Sequence, residues 1–205
     1  MFIQNRIGFS PMKLETLTAA VLSGGESRRM GSDKALLRTD GGTTWIERVV
    51  WVARSRAVRT IVVTGRSPRY VDLFDPSTAE IVPDDSDVHG KGPLGGILTA
   101  LRLTRTRHLL CLTCDMPGVG LDAIDELGLP EEHQDVVYAS KMFFPMVFRV
   151  TPALLSVAVN RLQQDQCEIE SFLKLLNGRA IVLAAAGGHA NLNTPEDAKP
   201  HRDSP

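Results

Sequence analysis

No run of apolar residues in this 205-residue chain reaches the length of a membrane span, so no helix across a bilayer is expected. Cysteine is scarce. Three form an odd set in a chain long enough to build a core, which fits a reducing compartment better than a disulfide scaffold. Neither sign of charge dominates: Lys plus Arg number 23 and Asp plus Glu 24, for a formal net charge of -1. No global basic field exists to draw in nucleic acid, and any site for anions has to be local. The opening Met1-Phe2-Ile3-Gln4-Asn5-Arg6 lacks a basic stretch followed by an apolar one, so a secretory signal is not expected. A cytoplasmic protein without a nucleic-acid or membrane partner follows from these absences. Also missing are a Gly-Lys-Ser/Thr phosphate loop and any Ser/His/Asp or paired-carboxylate constellation.

What remains is an ordinary globular composition, 43% hydrophobic and 23% charged. The length favours one domain, placed at residues 14–198, with 1–13 and 199–205 as flexible tails. Along it, strand and helix signals alternate. Leu17–Leu22 is a short apolar run ending at Gly24-Gly25, hence a buried strand and a turn. Thr44-Trp45-Ile46-Glu47 has the spacing of a capping box and opens a helix to about Arg54. Residues 59–64 are β-branched and read as a strand, Ser67-Pro68 starts a short helix to Leu73, and Ile81-Val82 is a strand. Pro93 opens a helix with Leu94, Ile97, Leu98 and Leu101 on one face. Strands follow at 108–113, 136–138, 145–148 and 181–183, and helices after Thr151-Pro152, over 168–176 and after Thr194. This alternation predicts an α/β fold, a three-layer α/β/α sandwich on a mostly parallel, Rossmann-like sheet. Ligands of such sheets sit outside the carboxyl ends of the strands.

The loops at those ends are chemically distinctive. After the first strand come Ser23, Gly24 and Gly25, then Arg28, Arg29 and Lys34: glycines that free backbone amides, beside three cations, a combination suited to polyphosphate. The plainer alternative is a solvated glycine turn with surface arginines. After the third strand stand Asp84, Asp85 and Asp87. Gly90 to Gly95 then match G-x-G-x-x-G, and Asp115 follows the next strand where a dinucleotide fold keeps its ribose acid. An NAD(P)-dependent oxidoreductase is therefore the rival reading, weakened by the acidic stretch between strand and glycines. In Cys114-Asp115-Met116-Pro117 the carboxylate is placed to hold a hard cation, or else to cap a turn. Cys111 and Cys114 lie three apart in a run read as strand, on opposite faces, so they are expected in the core. Asn191 and Asn193 precede Thr194-Pro195, and a turn with a helix cap accounts for them.

Taken together, Leu22-Ser23-Gly24-Gly25, Ser27 to Lys34, Gly92-Pro93-Leu94-Gly95-Gly96, Cys114 to Pro117 and Asn191 to Pro195 resemble, in order, the motifs of the molybdenum cofactor guanylyltransferase type of nucleotidyltransferase. The double glycine and the Gly-Pro-Leu block are similar to the guanine-using branch. The resemblance implies transfer of GMP from GTP to the terminal phosphate of molybdopterin with release of pyrophosphate, dependent on Mg2+, with transient contact to other cofactor-biosynthesis proteins. It implies nucleotide contacts at Leu22, Ser23, Gly24, Gly25, Lys34, Thr64, Asp84 and Asp115, with Asp85 an alternative to Asp84. Lys34 and Asp115 take the catalytic roles, Asp115 holds the metal, Arg28 and Arg29 bind phosphate, and Asn191 and Asn193 line the pterin side. Thr64 stands where relatives often carry asparagine. A nucleotidyltransferase using another nucleotide or acceptor, and a regulator that binds GTP without turnover, remain open at this stage.

Overall fold

The computed structural model describes residues 14–24, 33–39 and 41–184. Strand β1 (Leu17–Leu22) is buried at all six positions. A strand like that needs cover on both faces, and it lies inside the sheet. Strand β2 (Arg59–Val63) runs parallel to it on one side, and β4 (His108–Thr113) runs parallel on the other. Strand β3 (Glu80–Val82) adds parallel to β2. Beyond β4 the sheet is mixed. Strand β6 (Phe143–Arg149) is antiparallel to both β4 and β5 (Val136–Ala139), and β7 (Gly178–Ile181) pairs parallel with β5. The order is β3-β2-β1-β4-β6-β5-β7.

Helix α1 (Trp45–Arg54) has the reciprocal cap that its sequence predicts. The Glu47 amide donates to the Thr44 hydroxyl at 3.3 Å, and the Thr44 amide donates to the Glu47 carboxylate at 2.7 Å. These Thr44 groups hold the Glu47 carboxyl below its usual pKa. The helix buries Ile46, Val49 and Val50, each contributing about 1.5–3 kcal/mol of transfer free energy. Helix α2 (Gly92–Leu103), with Pro93 in its first turn, buries the predicted Leu94, Ile97, Leu98 and Leu101. With the right-handed crossovers that parallel strands require, β1-α1-β2 and β3-α2-β4 travel in opposite directions across the sheet, so α1 and α2 cover opposite faces. Helix α3 (Leu121–Leu127) is tied to the end of α1 by an Arg56–Asp125 ion pair at 2.5 Å, and α4 (Pro152–Gln163) packs beside α2. Helix α5 (Ile169–Leu173) sets Phe172 against Phe148, ring centroids 6.2 Å apart. The three-layer architecture is the one expected. Among the described residues no helix is long and apolar enough to cross a membrane.

Several elements differ from expectation. No helix follows Ser67-Pro68: the segment is a loop in which Tyr70 takes a left-handed φ of 66°, incompatible with a helical turn. Helix α3 was not evident from the sequence, and α5 is shorter than 168–176. The last strand lies at 178–181 rather than 181–183, because its register is fixed by backbone bonds instead of by its apolar residues. The Asp135 amide donates to the Asn177 carbonyl at 2.9 Å, and the Asn177 amide returns a bond to the Asp135 carboxylate at 3.0 Å. Strand β4 stops at Thr113; Cys111 is fully buried within it, and Cys114, just beyond its end, is part-buried and packs against the core. The helix expected after Thr194 lies outside the described residues.

Candidate active site

Four parallel strands end at one edge of the sheet, and their exits line a cavity of about 910 Å³. Strand β1 delivers Ser23 and Gly24, β2 delivers Thr64 and Gly65, β3 leads to Asp84, and β4 to Thr113, Cys114 and Asp115. Backbone bonds lock the tips together. Ser23 N–H donates to Val63 at 2.7 Å, Asp84 N–H to Gly65 at 2.7 Å, and Cys114 N–H to Leu22 at 3.1 Å. Lys34 opens a 3-10 turn (Lys34–Leu36) capped by Asp33, and it lines the same space. The structure therefore brings together Leu22, Ser23, Gly24, Lys34, Thr64, Asp84 and Asp115. Gly25, Arg28, Arg29, Asn191 and Asn193 lie outside the described residues.

The three aspartates of the loop after β3 separate cleanly. Arg102 of α2 donates to Asp85 at 2.7 Å and to Asp87 at 2.9 and 3.0 Å, and the Thr99 hydroxyl accepts from the Asp85 amide. Asp85 is thus braced against α2, away from the cavity wall. Asp84 alone faces inward, and its Oδ1 is buried without a hydrogen-bond partner among the described residues. Burial, reinforced by Asp85 and opposed by His89, raises the Asp84 pKa. Thr64 is fully buried, and its hydroxyl donates to the Ser67 carbonyl at 2.8 Å. Gly90 to Gly95 enter α2 by way of two left-handed glycines, Gly90 and Gly92, well after β3 has ended. The strand-to-glycine turn of a dinucleotide fold is not formed there.

Two further buried oxygens join Asp84 Oδ1 in lacking partners among the described residues: Thr113 Oγ1 and Asp115 Oδ1, both on cavity-lining residues. Two carboxylates and a hydroxyl left open on the wall of one cavity fit a hard divalent cation that completes its shell with water and phosphate oxygens. No cluster of three or more His, Cys, Asp or Glu side chains with metal-binding geometry occurs among the described residues. A cage made only of protein donors is therefore not what this cavity offers. Cys114, part-buried beside them, has its thiol pKa pushed up to about 12 by burial.

Sequence reasoning missed the residues that organise this cavity from the β2 side. Arg69 and Tyr70 converge on Ser23 and Asp33, and Arg66 adds an exposed guanidinium to the cavity wall. Two arginines within six residues of the β2 exit were the available signal. The expected helix start at Ser67-Pro68 concealed it.

Comparison with known proteins gives a consistent result. A family model described as "MobA-like NTP transferase domain" matches residues 19–182. A molybdenum cofactor guanylyltransferase of Xanthomonas euvesicatoria pv. vesicatoria is 30% identical, over 87% of this chain and 90% of that protein. A probable molybdenum cofactor guanylyltransferase of Nostoc sp. is 29% identical, over 90% of this chain and 89% of the relative. Among solved structures, molybdopterin-guanine dinucleotide biosynthesis protein A from Archaeoglobus fulgidus superposes with a TM-score of 0.69 at 21% identity, covering 88% of this chain and 94% of that one.

Proposed function

Because the chain belongs to the MobA-like NTP transferase family, we propose that it transfers GMP from GTP to the terminal phosphate of molybdopterin, releasing pyrophosphate with Mg2+ as the metal. Nucleotidyl transfer is the reaction class of the family. The choice of GTP and molybdopterin is supported by the names of the curated relatives and by the motifs at the strand tips. One observation carries the reading: Asp84 and Asp115 each leave a buried carboxylate oxygen open in the cavity that Lys34 lines.

The proposed chemistry explains these residue types. An oxygen of the acceptor phosphate attacks the α-phosphorus of GTP, the bond from that phosphorus to the bridging oxygen breaks, and pyrophosphate leaves. A phosphate monoester has a second pKa of about 6, so the nucleophile is largely ionised at neutral pH and needs no side-chain base. Charge is the obstacle: two unit charges about 4 Å apart repel by roughly 4 kcal/mol at an effective dielectric of 20. Lys34 is assigned to the triphosphate, with Arg28 and Arg29 beside it. Asp115, helped by Asp84, would hold Mg2+, which when bound supplies positive charge against the phosphates. Gly24 and Gly25 let the backbone approach the nucleotide, and Asn191 and Asn193 are assigned to the pterin side. Guanine offers an acceptor at O6 and donors at N1 and N2, a pattern neither adenine nor cytosine repeats.

Pyrophosphate release tests this, with each of the four nucleotides offered with and without molybdopterin in the presence of Mg2+. Release only with GTP plus molybdopterin, and its loss on chelation, is the expected result. Equal release with CTP or ATP, or release indifferent to molybdopterin, overturns the assignment.

A further inference from the structure

We infer that Arg69 and Tyr70, on the loop after β2, tie Ser23 to Asp33, and that Arg69 is a positioning residue for Lys34. Ser23 and Asp33 stand ten positions apart in the chain, on either side of its glycine- and arginine-rich sequence. Arg69 Nη2 donates to the carbonyl of Ser23 and, at 3.2 Å, to that of Thr64. Its Nη1 donates to Asp33 Oδ2 at 3.2 Å. The Tyr70 hydroxyl donates to the same carboxylate oxygen at 2.6 Å and accepts from the Ser23 hydroxyl at 3.1 Å. Asp33 Oδ1 in turn accepts from the Ala35 amide at 3.1 Å, capping the turn that Lys34 begins. Two adjacent side chains thus connect the exit of β1, the exit of β2 and the start of the Lys34 turn.

Three observations mark this as more than packing. Tyr70 holds a left-handed φ of 66°, a conformation that non-glycine residues rarely adopt and keep where the surroundings impose it. Its phenol is pushed above its ordinary pKa by burial and by the Asp33 carboxylate, so it remains a donor. Arg69 also holds its guanidinium carbon over the Tyr70 ring, 5.3 Å from the centroid, a cation–π contact between the two side chains. A planar guanidinium can reach two carbonyls and a carboxylate at once, and an ammonium reproduces this poorly. Lys34 sits one residue beyond the carboxylate the fork grips, so its reach into the cavity is set by that bond.

The inference rests on the reading of Lys34 as the phosphate-binding cation, and a double-mutant cycle separates the two. In steady-state pyrophosphate release with GTP, molybdopterin and Mg2+, Arg69→Met is expected to lower kcat/KM by roughly 10- to 100-fold and Tyr70→Phe by roughly 3- to 10-fold. Arg69→Lys recovers only part of the loss. In a Lys34→Ala background the same Arg69→Met change costs less than about threefold more, because the group it positions is gone. Thermal melts accompany each variant, and Tyr70→Phe run through the same cycle carries the test if Arg69→Met does not fold. Full multiplication of the Arg69 and Lys34 losses overturns the positioning role alone, as does a silent Arg69→Met. An unchanged kcat/KM in Lys34→Ala overturns the phosphate role of Lys34 and the positioning role with it.

Discussion

On one side of the sheet, β3, β2, β1 and β4 run parallel, and their exits present Asp84, Thr113 and Asp115 with buried oxygens lacking partners among the described residues. On the other side, β6 runs against its neighbours, and the polar groups at the strand ends find one another: Arg149 donates to the Gln134 carbonyl at 2.7 Å, and Asp135 and Asn177 bond reciprocally. Topology explains the contrast. Parallel strands deliver all their carboxyl ends to one edge, so four loops converge on one space. An antiparallel strand sends its ends to opposite edges, so β5 and β6 cannot concentrate loops in the same way. The parallel half keeps polar groups open for a ligand, and the mixed half supplies packing.

Substitutions can break that division or sharpen it. The largest effect is expected from Asp115→Ala, a loss of about 10²–10³-fold in turnover with no fall in melting temperature, read by kinetics beside thermal melts. In the mixed half, Met146→Ala removes a fully buried side chain of β6 and should cost about 3 kcal/mol of stability, while kcat per folded molecule stays at the parent value. A large kinetic defect there, measured below the melting transition, would show that the halves are not separable. Asp84→Asn should lose activity yet gain about 1 kcal/mol of stability in the absence of metal, because it removes a buried charge without a partner.

A pH dependence accompanies that last variant. Burial raises the folded-state pKa of Asp84 above the unfolded value, so the folded chain binds the extra proton between the two. Its contribution to stability therefore falls as pH rises through that window. Melts of the parent across acidic pH should show this slope, and Asp84→Asn should flatten it. For the same reason, the proposed dependence on Mg2+ should weaken on acidification from a higher pH than an ordinary aspartate would give. The smallest effect belongs to Thr64→Val. It removes the bond to the Ser67 carbonyl, costing about 1 kcal/mol of stability, and should leave the proposed preference for GTP over CTP unchanged.

Much of the parallel half was legible in advance because its signals are local. A six-residue apolar strand, a Thr-x-x-Glu cap and a proline-opened helix each determine their own neighbourhood, and Asp115 stands at a strand tip the alternation pointed to, with Lys34 lining the same cavity. What stayed hidden depends on distant partners. Asp84 and Asp85 are indistinguishable in the sequence, and only Arg102, reaching back from α2, separates them. Tyr70 reads as part of a helix until its bonds to Ser23 and Asp33 force the backbone out of one. Strand β7 is placed by Asn177 and Asp135, a pairing across 42 positions that no periodicity reports.

Gly24 and Gly65 touch backbone to backbone, and a methyl group built on Gly65 would stand 2.9 Å from the Gly24 carbonyl oxygen. That contact is a seam. Any side chain on Gly65 would wedge apart the first two strand exits and carry the Arg69 anchor on Ser23 with them. Retuning this enzyme for another nucleotide therefore has to leave the seam intact and work from the rim, where the Arg66 guanidinium would stand 3.5 Å from a methyl group built on Gly90.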